Sequence, residues 1–150
     1  SNNKKAHGIK YAKKNKIKIQ IVDFSKKSEI NRLLKILKFN NIQLICLAGF
    51  LRILSKYFIK SFKGKIINIH PSLLPKYKGL NTHERVLKKN EKFTGCSVHF
   101  VNEKLDGGKI ILQKKIKIFK KDNVKSLKNR VLKEEYKLYP KSIIKILSNY

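Results

Sequence analysis

A chain of 150 residues with 41% hydrophobic content is one domain with an ordinary core, burying roughly two thirds of its surface. No run approaches the ~20 apolar residues of a membrane span, and no signal-peptide pattern opens the chain, so we place it in the cytoplasm. The net charge of +28, from 37 Lys plus Arg against 9 Asp plus Glu, raises nucleic acid as a partner. Four of those cations are arginines (Arg32, Arg52, Arg85, Arg130) and the rest are lysines spread along the whole chain. Phosphate and base readers favour the arginine fork, so the charge reads as solvated surface, with a non-catalytic polyanion-binding module kept as the rival.

Residues 4–15 read as the end of a polar helix, followed by a strand at 17–22, IKIQIV. Ile30, Leu33, Leu34 and Leu37 recur at helical spacing, which predicts an amphipathic helix over 27–39. QLICLA, 43–48, has the continuous apolar character of a buried parallel strand. The segment 55–62 is a short helix behind a Ser55 cap, and IINI is the next strand. A helix runs from Thr82, its cap, to about Asn90. Strands at 94–101 and 109–118 precede a closing helix marked by Leu127, Val131, Leu132 and Tyr136, which Pro140 breaks or kinks. Cys46 and Cys96 fall inside apolar runs without metal-ligand spacing and read as buried free thiols, with no metal site. Alternation of strand and helix in this order predicts an α/β sheet, parallel at least in its first strands.

Within that frame "INIHPSLLPKYKGLNTHERVL", Ile67 to Leu87, stands out. Side chains two apart on a strand share a face, so Asn68 and His70 project together where the strand meets a stiff loop from Pro71 to Pro75. Open α/β sheets bind ligands at such ends. "NEKLDGGKII" puts Asp106 in a glycine-rich turn before a strand. An amide donor, an imidazole and a carboxylate suit acyl transfer, in which an oxyanion is stabilised and a proton moved. Taken singly, a His before Pro is usually structural and DGG usually a turn; spacing alone does not join Asp106 to His70.

"LAGFLRIL", "INIHPSLLPKYKG", "THERVL", "TGCSVHFV", "LDGGKIILQ" and "EEYKLYP" together resemble the successive motifs of the phosphoribosylglycinamide formyltransferase family. They resemble methionyl-tRNA formyltransferases and formyltetrahydrofolate deformylases less. The resemblance implies a Rossmann-like, open, mostly parallel twisted sheet with helices on both faces, as a single domain over 1–150. It implies transfer of a formyl group from 10-formyltetrahydrofolate to the amine of 5-phosphoribosylglycinamide in purine synthesis, by a monomer or weak homodimer. Asn68 then binds the formyl oxygen, His70 is the general acid–base, and Asp106 pairs with His70. Leu51, Arg52, Ile53 and Leu54 match the pterin-binding segment, and Lys26 falls where a cation meets the folate tail. Glu135 matches a glutamate that contacts the glycinamide substrate, against a solvated helix charge as the plain reading. His99 is support, while His83 and His7 read as surface residues. Asn81 departs from a His found in some members. A first strand and a Gly-Ser-Asn phosphate loop of the family pattern are missing, so the expectation is an N-terminally truncated domain with the folate half of its site intact and the ribonucleotide half damaged.

Overall fold

The computed structural model describes residues 1–148. In chain order the elements are α1 (His7–Lys14), α2 (Lys27–Phe39), β1 (Leu44–Leu47), α3 (Lys56–Ser61), β2 (Lys65–His70), α4 (Thr82–Lys88), β3 (Phe93–Phe100), β4 (Ile110–Lys117) and α5 (Val124–Leu147). The four strands form one sheet in the order β1-β2-β3-β4. Only β1 and β2 run parallel; β2–β3 and β3–β4 are antiparallel. The expectation of a mostly parallel sheet is therefore corrected to a mixed one. After β2 the chain stays at the carboxyl end through the loop 71–81. The 7 residues of α4 rise only about 10 Å, too little to carry the chain back along β2, so β3 starts from the same end.

Two apolar clusters lie on the two faces. On one, Ile67, Val98 and Cys96 of the sheet pack with Val86 of α4 and with Leu127, Val131, Leu138 and Ile146 of α5. On the other, Ile66 packs with Ile30 of α2 and with Phe58 of α3, joined by Leu54 and Phe62. Ile66 and Ile67 face opposite ways because side chains alternate along a strand, so a single strand feeds both clusters. Tyr139 of α5 donates its hydroxyl hydrogen to the Leu47 carbonyl oxygen at 2.7 Å, tying the closing helix to the end of β1.

Several local expectations meet the structure directly. The Ser55 side chain accepts from the Phe58 N–H at 3.1 Å, satisfying one of the amides a helix start leaves open. Others are corrected. Residues 17–22 do not join the sheet: the Val22 N–H bonds the Ser1 carbonyl and the Ser1 ammonium bonds the Gln20 carbonyl, each at 2.9 Å, and Val22 alone is buried. The α4 cap position belongs to Asn81, in left-handed backbone with φ 56°, and Thr82 is the first helical residue, buried at 2% exposure. Helix α5 runs through Pro140 without a break; the proline side is exposed and packing of Leu138, Ser142 and Ile146 on either side holds the helix together. Cys96 is buried, but Cys46 is exposed because β1 is an edge strand with only β2 beside it.

Candidate active site

The register of β2 and β3 builds the first half of the site. Asn68 stands opposite His99 and His70 opposite Ser97, so Asn68, His70 and His99 project from one face, as the two-residue spacing requires. Under them Ser97 is a fully buried hub. Its hydroxyl donates to the Ser72 carbonyl at 2.6 Å and accepts from the Leu74 N–H at 3.1 Å and the Gln113 side chain at 2.8 Å. These bonds pin the start of the loop that follows His70.

Asp106 arrives from the connection between β3 and β4. Its backbone is left-handed, φ 45°, a conformation that Asp tolerates better than most residues. Gly108, two residues on, is pressed so closely to the Phe100 backbone that a Cβ would collide with the Phe100 carbonyl; the turn needs glycine there. Folded back in this way, Asp106 accepts from the Gly79 N–H at 2.9 Å through Oδ2. The same oxygen lies 3.4 Å from His70 Nδ1, and Oδ1 lies 3.6 Å from His99 Nε2. Both the His70 and Asp106 side chains are more than nine-tenths buried. The carboxylate–imidazole pair that spacing left open is formed.

The remaining hydrogen bonds set the tautomers. A carbonyl oxygen only accepts, so His70 Nε2, 2.9 Å from the Tyr77 carbonyl, carries a proton and donates it. His99 Nδ1 donates likewise to the Phe100 carbonyl at 2.8 Å. Burial, outweighing the pull of Asp106, holds the His99 pKa below its ordinary value. Its Nε2 is then a bare acceptor, and Asn68 Nδ2 sits 3.4 Å away. The second N–H of the Asn68 amide remains for a ligand.

These groups form one wall of a cavity of about 930 Å³. Leu51, Arg52, Ile53 and Leu54 line it as well, with Leu51 and Ile53 largely exposed and Leu54 buried; exposed apolar side chains at a cavity mouth suit a flat hydrophobic ligand. Glu135 reaches it from α5, and burial raises its pKa above the usual carboxylate value. It is therefore a partly desolvated group of the cavity wall and not a solvated helix charge. Lys26 is exposed ahead of α2 and is not part of the wall. With Arg52 it acts on Asp23, whose carboxyl is lowered first by its hydrogen bonds from Ser25 and then by these cations.

His83, read as a surface residue, is corrected. It lines the same cavity, its Nδ1 is buried with no hydrogen-bond partner, and burial lowers its pKa. Its place follows from the left-handed turn at Asn81 that starts α4, which residue types alone do not announce. His7 is exposed on α1. The Tyr77 carbonyl and the Gly79 amide, which bond His70 and Asp106, are backbone groups and leave no side-chain signal in a sequence. Among the described residues no cluster of three or more His, Cys, Asp or Glu is placed to hold a metal ion.

An α/β sheet whose strand ends gather an amide, a proton-bearing imidazole and a buried carboxylate beside an apolar cavity defines a protein equipped for acyl-group transfer. The chain belongs to the formyl transferase family, whose model matches residues 1–143. It is 50% identical over 99 residues to the phosphoribosylglycinamide formyltransferase of Haemophilus influenzae, covering 66% of this chain and 47% of that protein. It is 40% identical over 147 residues to the chicken (Gallus gallus) trifunctional purine biosynthetic protein adenosine-3, covering 95% of this chain and 15% of that one. In three dimensions it is similar to the phosphoribosylglycinamide formyltransferases of Anaplasma phagocytophilum (TM-score 0.88, 40% identity, 95% of this chain and 70% of that one) and Brucella melitensis (TM-score 0.89, 39% identity, 97% and 77%). The chain spans about half the length, or less, of the curated relatives it matches.

Proposed function

We propose that this chain transfers a formyl group from 10-formyltetrahydrofolate to the amine of 5-phosphoribosylglycinamide, a step of purine synthesis, as a monomer or weak homodimer in the cytoplasm. The observation that carries the reading is the convergence of Asn68, His70 and Asp106 on the wall of one cavity with Leu51–Leu54. Similarity to the phosphoribosylglycinamide formyltransferases supports the choice of donor and acceptor.

In this reading the flat ring of the donor lies along Leu51, Arg52, Ile53 and Leu54, with Lys26 and Arg52 toward its anionic tail. Glu135 meets the acceptor from the α5 side. The acceptor amine attacks the formyl carbon, forming a C–N bond, and the carbonyl oxygen gains the negative charge. The free N–H of Asn68 holds that oxyanion, and the positive charge of the protonated His70 ring, whose two N–H groups face the Tyr77 carbonyl and Asp106, stabilises it through space. Collapse breaks the bond from carbon to the donor nitrogen, and the proton lost by the amine passes to that nitrogen through His70 Nε2, which exchanges the Tyr77 carbonyl for the reacting groups as it does so. Asp106, paired with Nδ1, stabilises the imidazolium while it carries the proton. Preorganisation of this kind matters because the groups are buried and held before the substrates arrive.

The test is to incubate the chain with both substrates and follow the formylated product by mass. The expected result is product formation by the wild type and a loss of about 10²–10⁴ in rate for Asp106→Asn. Calorimetry with a 10-formylfolate analogue that cannot transfer its group is expected to show one saturable site in both proteins. Transfer by Asp106→Asn at the wild-type rate would overturn the acid–base assignment. A folded chain that binds no analogue would overturn the reading as a whole.

A further inference from the structure

The position of His70 rests on a carbonyl whose own support is unusual. The loop after β2 is pinned by backbone and hub bonds at Ser72, Leu74 and Lys76 and again at Gly79 by Asp106. Tyr77 lies between these anchors, in left-handed backbone with φ 56°. A bulky side chain is seldom found there, because its Cβ crowds the following carbonyl. Such a conformation persists only where surrounding contacts enforce it.

The enforcing contacts come from the Tyr77 side chain. Its hydroxyl donates to Glu91 Oε1 at 2.8 Å, and this bond is the main reason that the Glu91 carboxyl is lowered and the Tyr77 phenol raised. Lys76 Nζ stands 3.6 Å from the same carboxylate oxygen. Arg85 lies 5.3 Å from the centre of the Tyr77 ring, within cation–π reach, and donates to the Lys78 and Leu80 carbonyls at 2.6 and 3.3 Å. Glu91 and Arg85 belong to α4 and the turn behind it, away from the cavity wall that the substrates face. The clasp therefore fixes a backbone oxygen from behind, and that oxygen receives the His70 Nε2 proton.

We propose that Tyr77, anchored through its hydroxyl on Glu91, is a positioning residue that fixes the tautomer and ring orientation of His70. The proposal rests on the catalytic reading of His70 given above for its consequence, but not for its geometry. The Tyr77 carbonyl at 2.9 Å from Nε2 and the Asp106 carboxylate at 3.4 Å from Nδ1 compete for the single proton of the neutral ring, and the closer, clasped carbonyl keeps it on Nε2. Released from the clasp, the carbonyl drifts, and the proton is drawn to Nδ1 and its carboxylate neighbour, since a ring nitrogen is protonated according to the bond it can make.

The measurement is a long-range proton–nitrogen NMR spectrum of the chain labelled with ¹⁵N-histidine, recorded at a pH where the rings are neutral. His70 is assigned by the signal lost in His70→Asn. We expect the Nε2–H tautomer to dominate in the wild type. In Tyr77→Phe and in Glu91→Ala the Nδ1–H tautomer is expected to rise to a comparable share, while His99, bonded to the Phe100 carbonyl, keeps its Nδ1–H signature as an internal control. Tyr77→Gly, which suits a positive φ, serves if either variant fails to fold. A tautomer ratio unchanged in the folded variants would overturn the proposal. In the transfer assay the variants are expected to lose about 3–10-fold in kcat with the KM for the formyl donor unchanged. A folded wild type that binds no formylfolate analogue would overturn the formyltransferase reading, and the tautomer spectrum would still decide the role of Tyr77.

Discussion

Asn68 of β2 and His99 of β3 are direct cross-strand partners, with Asn68 Nδ2 3.4 Å from His99 Nε2. The Phe100 carbonyl holds the His99 proton on Nδ1, so the bare Nε2 selects the nitrogen side of the Asn68 amide and repels its oxygen. His99→Phe keeps the volume and removes that selection. Its expected effect is a fall of roughly 10-fold in kcat, the value of about one weak oriented hydrogen bond, with analogue binding retained. Steady-state kinetics with calorimetry checks it. A lowered melting temperature at full kcat would show that His99 serves only the fold.

Glu135 illustrates a conflict between stability and function. Burial raises its pKa in the folded chain above 4.5. Its contribution to stability is therefore full below pH 4.5 and is lost as pH rises through the raised folded value. Above that folded value the ionised carboxylate opposes folding. Glu135→Gln should melt higher than wild type at pH 7, and the difference should vanish at pH 4. The same variant should raise the KM for the glycinamide substrate. Equal melting temperatures at pH 7 would count against the desolvated carboxylate.

For His83 and His99 the sign is opposite. Burial is the first cause that lowers each pKa below 6.5. A histidine with a depressed folded pKa contributes stability that is present above pH 6.5 and lost as pH falls through the folded value. Urea unfolding should show the midpoint dropping as pH falls below 6.5, and the drop should be shallower in His83→Asn and in His99→Asn. A pH dependence identical in the wild type and both variants would assign the loss to other groups.

Gly108 couples the Asp106 turn to His99. A Cβ at 108 would strike the Phe100 carbonyl, the oxygen that receives the His99 Nδ1 proton. Gly108→Ala is expected to cost about 1–3 kcal/mol of stability, as overpacking does, and to reduce kcat beyond that by displacing both Asp106 and His99. Gly8→Ala, with nothing within 4 Å of the added Cβ, should leave both unchanged. Chemical denaturation of the two variants, followed by kinetics of the folded fraction, makes the comparison.

Much of this architecture was written locally. The helical spacing of Ile30, Leu33, Leu34 and Leu37 placed α2 over Lys27–Phe39, and Ser55 marked the start of α3. Period and capping act within a few residues, so they can be read without knowing what lies across the sheet. By the same rule the two-residue spacing of Asn68 and His70 put them on one face. Ile17–Val22 shows where the rule fails: a strand needs a partner, and this segment pairs with Ser1 and not with the sheet.

The rest of the site required the folded chain. Asp106, 36 positions after His70, meets it only because Gly107 and Gly108 turn the chain back beside Phe100. His83 enters the cavity, and Lys26 stays out of its wall, through backbone turns that their side chains do not specify. The direction of β3, which makes the sheet mixed, came from how far a 7-residue helix can carry the chain, and β4 turns back antiparallel to it after a short connection. The sequence by itself determined which candidate residue types the chain offers and which of them share a strand face, because those depend on residue type and local period. Tertiary structure alone decided their partners, their tautomers and their burial, because these depend on backbone carbonyls and amides brought together from distant parts of the chain.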